Sequence, residues 1–216
     1  MSDGSKSTGV MSDGSTSSGV MSAAVVACGA LAGHVHEIAA RRSWDIHVEP
    51  INPLLHNRPE GIAPEVDRLL TQLRPSYDQL AVAYADCGTY GALDVVCESH
   101  SVSRLAGDHC YDVFATAEKM KAEFDKVPGT YVLTDYLVKT FRRSVMNEMG
   151  LDRYPELRDD YFHAYERIVW LSQNQSPELE EAARDAAQLI DLPLEIIHVG
   201  DVHLEEQLAM LLGVTE

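Results

Sequence analysis

The chain has 216 residues, a formal net charge of −17, and 45% hydrophobic against 24% charged residues. There is enough apolar material for a buried core in one large domain or two small ones, while the excess of negative charge opposes phosphate backbones and anionic lipid, so no nucleic-acid and no membrane partner is expected. No apolar run approaches the roughly 18–20 residues of a membrane helix, and the N-terminus lacks the regions of a signal peptide, so a cytoplasmic location with reduced thiols is expected.

Residues 1–20 are a ten-residue unit written twice, MSDGSKSTGV and MSDGSTSSGV. The stretch is rich in Ser, Gly and Thr and has almost nothing to bury, so residues 1–22 read as a disordered tail and 23–216 as a single α/β domain. The apolar run 23–27 ends at Cys28-Gly29, and a helical pattern over 30–42 places Leu31, Val35 and Ile38 on one side. Residues 45–51 alternate as a strand until Pro50 and Pro53 break it. Residues 62–73 read as a second helix, with Pro64 and Glu65 in the first turn and Val66, Leu69, Leu70 and Leu73 on one face.

LAVAY (80–84) is a buried-strand pattern leading into Asp86-Cys87-Gly88, followed by a short helix near 91–98 that carries Cys97. Residues 101–107 form a weaker strand ending at Asp108-His109-Cys110, residues 112–125 a helix, and TYVLT (130–134) a strand after the Pro128-Gly129 turn. Helices are then expected over 136–149, 157–172 and 177–190, a strand over 194–199, and a last helix over 204–212. Strand followed by helix, repeated, predicts an α/β fold: a mostly parallel, doubly wound sheet with helices on both faces and a helical insertion in the C-terminal half.

In open parallel sheets the functional crevice lies beyond the carboxyl ends of the strands. Cys28, Cys87 and Cys110 each follow a predicted strand and therefore converge on that edge, whereas Cys97 belongs to an amphipathic helix and reads as core. Three thiolates in one crevice call for a cation. Zinc with three sulfurs and an open or imidazole position is one occupant, and an iron–sulfur cluster with three cysteine ligands is another. Small polarizable cysteines filling strand-end positions are the competing reading. His56 and His109 lie near the same edge as candidate acid/base groups or a fourth ligand. A metal-free enzyme would use one cysteine as nucleophile and His56 or His109 as its base. Arg58 is placed to meet an anion, or to pair with Glu60 or Glu65. The chain contains no dinucleotide-binding glycine fingerprint, phosphate loop, nucleophile elbow or zincin motif.

ACGAL (27–31), LHNRP (55–59), AYADCG (83–88), GDHCYDVF (107–114) and PGTYVLT (128–134) together resemble the domain-of-unknown-function family 1638, over roughly residues 23–212. The family-typical segments centre on Cys28, Cys87 and Cys110 and bypass Cys97. The resemblance implies a neighbourhood of corrinoid-dependent methyltransferases, and with it a role in methylamine, betaine or related one-carbon metabolism. A metal-binding protein assisting corrinoid-linked methyl transfer is the expectation, with a corrinoid protein or methyltransferase as partner. A non-catalytic partner of those proteins, with its cysteines in the core, is the alternative.

Overall fold

A computed structural model gives the fold, and the structure describes residues 22–214. The expected disordered tail therefore lies, up to residue 21, outside the described residues.

The first half alternates as its sequence pattern predicts. Strand β1 (Ala23–Cys28) leads to helix α1 (Ala32–Arg42), β2 (Ile46–Ile51), helix α2 (Ile62–Leu73), β3 (Gln79–Ala83) and helix α3 (Ala92–His100). β1 pairs in parallel with β2 on one side and with β3 on the other, in the order β2-β1-β3. All six residues of β1 are buried, as a central parallel strand covered on both faces requires. α2 presents Val66, Leu69, Leu70 and Leu73 to the core, at the spacing of one helical face.

The segment expected as a fourth strand at 101–107 adds a single parallel bridge, Val82 to Arg104, and extends no further. The helix expected over 112–125 is divided into α4 (Asp112–Ala115) and α5 (Ala117–Lys126) at Thr116, whose φ is 66°. The Thr116 hydroxyl accepts from the Lys119 N–H and so caps α5.

A second three-stranded sheet follows. β4 (Thr130–Thr134), β5 (Arg167–Ser172) and β6 (Leu194–His198) pair in parallel in the order β4-β5-β6. Between them lie α6 (Asp135–Phe141), which continues as a π-helical turn over Arg142–Asn147, α7 (Arg158–Phe162) and α8 (Pro177–Ile190). The α/β class with parallel strands stands. The single sheet is replaced by two, and the expected helix over 157–172 is a short α7 followed by the central strand β5.

The reason is visible in β5 itself. Ile168 and Trp170 pack with the core under α6 and α8, while Val169 and Leu171 pack on the opposite face with Ala115 and Met120. Both faces are apolar, so the alternation that marks a half-exposed strand is erased. The last helix, α9 (Val202–Leu212), crosses back and buries Leu204, Leu208 and Leu212 in the core of the first sheet. It is tied there by ion pairs from Arg41 and Arg42 of α1 to Glu205, and from Arg41 to Asp201.

Candidate functional site

The two halves face each other across a cleft beyond the carboxyl ends of β1, β3 and β4, and three local structures build its floor. The first is the turn after β1. Gly29 donates its N–H to the Ile51 carbonyl at 2.9 Å, and a Cβ at this position would lie 2.5 Å from that oxygen and 2.7 Å from Pro53 Cδ. Only glycine lets the chain pass so close to the end of β2. The Leu31 N–H then donates to the Cys28 carbonyl at 2.8 Å, which turns the chain into α1, and the backbone at Ala30 and Leu31 favours a thiolate at Cys28.

The second is the Asp86–Gly91 loop. Cys87, Gly88, Tyr90 and Gly91 all have positive φ. The Asp86 carboxylate holds this winding by accepting from Thr89 Oγ1 at 2.6 Å and from the N–H groups of Tyr90 and Gly91 at 3.0 Å each. The third is the Gly107–Asp112 loop, where the buried Asp112 carboxylate accepts from the N–H groups of Asp108 at 3.0 Å and His109 at 2.9 Å. The two loops are stitched together: Asp86 N–H donates to the Gly107 carbonyl at 3.1 Å, and Cys87 N–H to the Asp108 carbonyl at 2.7 Å.

Cys28, Cys87 and Cys110 come within electrostatic reach of one another; Cys28 ends β1 and Cys87 follows β3, whereas Cys110 is brought in by the Gly107–Asp112 loop, since the strand expected before it is a single bridge. The nearby backbone of Cys110 favours the thiolate at Cys87, and that of Cys110 and Tyr111 the thiolate at Cys110. Burial pushes all three thiols up, and at Cys87 and Cys110 repulsion from the other sulfurs adds to it. Cys87 is raised by burial and then by Cys110 and Cys28; Cys110 is pushed up to about 12 by burial and then by Cys28; Cys28 is raised by burial. Among the described residues, no three His, Cys, Asp or Glu side chains are already grouped for a metal ion. The donor set nevertheless suits a thiophilic cation: three soft sulfurs within electrostatic reach of one another, each beside backbone that favours its thiolate.

Tyr84, which the residue pattern offers only as the end of a strand, sits at the centre of this group. It is fully buried, and its hydroxyl lies 3.4 Å from Nδ1 of His56 and is coupled electrostatically to Cys28 and Cys87. With the proton on Nδ1, His56 donates to Tyr84, whose own proton is then free to be donated elsewhere. Burial, followed by repulsion from Cys28 and Cys87, raises the phenol far above its ordinary range. His56 itself is pushed down by burial and by the charge of His109, and so stands neutral at pH 7.

His109 sits on the same loop as Cys110. Its side chain is 55% exposed, stacks on Tyr111 at 4.7 Å, and lies 3.8 Å from the Asp112 carboxylate, which raises its pKa. Cys97 is apart from the other three: it is buried in α3, with Arg104 and Asp94 as its charged neighbours. Glu65, one expected partner of Arg58, pairs with Arg68 instead.

The far wall of the cleft comes from the segment expected to be a capping insertion. A cavity of about 220 Å³ lies between Cys110, His56 and Asn57 on one side and Thr134, Tyr136 and Ser144 on the other. The description "protein of unknown function (DUF1638)" belongs to a family model that matches residues 29–208, most of the chain and nearly all of both halves. The chain belongs to this family. The part matched in this DUF1638 chain includes Cys87, Cys110, Tyr84, His56 and the whole cavity wall, and begins one residue after Cys28. No curated protein and no solved structure resembles the chain closely enough to match.

Proposed function

We propose that the cleft is a thiolate metal centre in which Cys28, Cys87 and Cys110 hold zinc or an iron–sulfur cluster, and that the protein assists corrinoid-linked methyl transfer. The observation that carries the metal reading is the convergence of three thiols from three separate segments, the end of β1, the loop after β3 and the Gly107–Asp112 loop, within electrostatic reach of one another. Zinc held by three thiolates supplies a Lewis acid with an open position, and a cluster supplies one-electron chemistry. The link to corrinoid proteins or methyltransferases as partners rests on the family resemblance. A metal-free cysteine nucleophile has less support, because burial and mutual repulsion keep these thiols protonated near neutral pH.

Elemental analysis and an absorption spectrum of anaerobically purified protein test the proposal. Zinc or iron near one site per chain is expected, lost in Cys87→Ser and in Cys110→Ser and retained in Cys97→Ser. A folded, metal-free protein from a metal-replete preparation refutes it.

A further inference from the structure

The cavity beside Cys110 is chemically unlike the rest of this acidic protein. Apolar Leu54, Leu137 and Val145 line it together with polar Asn57, Tyr136 and Ser144, and no Asp, Glu, Lys or Arg is among its lining residues. Of the four cysteines only Cys110, itself half-buried, faces it. Its outer wall is the π-helical turn Arg142–Asn147, a distortion that adds a residue to the turn and re-aims the side chains it carries.

The hydrogen bonds on that wall leave a defined set of free groups. Thr140 donates its hydroxyl to the Tyr136 carbonyl at 2.8 Å and accepts from the Ser144 hydroxyl at 3.0 Å. The proton of Ser144 is thus committed inward, and its lone pairs face the cavity as acceptors. The Tyr136 hydroxyl accepts from Arg143 at 3.2 Å, which leaves its own proton to donate. Asn57 directs its amide nitrogen toward Glu148 at 3.5 Å, so its carbonyl oxygen is the group left for a ligand. The nearest charges on this wall, Arg143 and Glu148, are exposed and engaged with Tyr136 and Asn57, so a charged ligand would lose its water against a lining that carries no ion of its own.

We infer that this cavity binds a small, uncharged organic molecule bearing a hydroxyl-type group that both donates and accepts, held by Ser144 and Tyr136 with its apolar part on Leu54, Leu137 and Val145, beside the sulfur of Cys110. The inference rests on the cleft being the functional site, and holds whether or not a metal is present there.

Methanethiosulfonate reagents of matched size report on it directly. The Cys110 sulfur attacks the sulfenyl sulfur, a disulfide forms as the S–SO2 bond breaks, methanesulfinate leaves, and the thiol proton passes to buffer. Rates at Cys110 are read by peptide mass mapping on as-purified and chelator-treated protein, each normalised to the same reagent's rate with a free thiol. The neutral methyl and hydroxyethyl reagents should modify Cys110 about tenfold faster than the cationic trimethylammonioethyl and anionic sulfonatoethyl reagents. Ser144→Ala should slow the hydroxyethyl reagent and leave the methyl reagent unchanged, and Leu137→Trp should slow both neutral reagents by filling the space. Comparable normalised rates for neutral and charged reagents overturn the inference, as does a hydroxyethyl rate indifferent to Ser144→Ala. Because the chelated protein is read separately, a failure here is distinct from an absence of metal.

Discussion

Gly29 is the residue on which the position of Cys28 depends most directly, and replacing it with alanine is a sharp test of the site's construction. The new Cβ would sit 2.5 Å from a backbone carbonyl and 2.7 Å from a proline ring carbon, neither of which can rotate away. Relief requires separating the turn after β1 from the end of β2. Overpacking of this kind costs about 1–3 kcal/mol, and weakening the 2.9 Å bond from Gly29 to Ile51 adds about 1 kcal/mol. A total of about 2–4 kcal/mol is expected, and at about 2–4 °C per kcal/mol for a chain of this size Tm should fall by about 4–16 °C. Gly33→Ala is the control. Gly33 is exposed in α1 and a Cβ there meets nothing within 4 Å, so the substitution should stabilise the helix by about 0.5–1 kcal/mol. Urea unfolding and thermal melts followed by circular dichroism measure both. If Gly29→Ala melts with the wild type while Gly33→Ala behaves as expected, the close approach at residue 29 is wrong, and with it the placement of Cys28.

Three further outcomes are expected. In imidazole NMR titrations His109 should titrate above 6.5, held up by Asp112, and His56 below 6.5, pushed down by burial; His109→Gln should raise the His56 value, and an unchanged one would break the coupling. Asp112→Ala leaves the Asp108 and His109 N–H groups without their acceptor and should destabilise by about 2–4 kcal/mol in urea titrations. It should also remove a pH dependence. Burial alone would raise the Asp112 carboxyl, but its hydrogen bonds with His109 and the loop backbone win and hold it below its ordinary 3.8. Its contribution is therefore complete above pH 3.8 and lost as pH falls through the depressed value. His109, raised above its ordinary 6.5, contributes fully below pH 6.5 and loses that as pH rises through the raised value. Asp112→Ala should flatten both limbs, and unchanged limbs would exclude the pair as their source. Finally, Arg167 is buried between Glu123 and Glu195 and donates to Thr130 Oγ1 at 2.9 Å. Arg167→Ala should cost about 1–3 kcal/mol, because it leaves the Glu123 carbonyl and the Thr130 hydroxyl without their donor and a gap behind, and Arg167→Met less, because its chain refills the space; equal, small losses would show that this site relaxes or takes up water.

Much of the first half was legible because its elements carry a periodic signal. α2 runs over residues 62–73 both in the pattern and in the structure, since one face of that helix is apolar and the other is not. The cysteines at the ends of β1 and β3 were legible as neighbours for a topological reason: parallel strands end at one edge, so residues far apart in sequence meet there. β5 was illegible because neither of its faces meets water and, unlike the equally buried β1 with its Cys28-Gly29 turn, no glycine or proline marks it off between Pro155 and Pro177. With that strand hidden, the helices around it read as an insertion, and the second sheet and the cleft it closes went unseen. Tyr84 carried a faint signal as the first residue of Tyr-x-x-Cys-Gly. The π-helical turn that presents Ser144 carried none, since its register depends on packing against β4 and β5.

The sequence alone determined the α/β class, the parallel order of strand and helix, and the set of three cysteines with Cys97 set apart. The class and order follow from local periodicity and the nearness of Cys28 and Cys87 from the geometry of parallel strands, whereas Cys110 arrives on a loop bonded to the Asp86–Cys87 backbone. Only the tertiary structure decided that the strands divide into two sheets, that α9 returns to the first of them, and that the cleft between them carries an uncharged cavity beside Cys110. Those features come from pairing between segments distant in sequence, where burial on every side removes the polar–apolar contrast that a sequence can display.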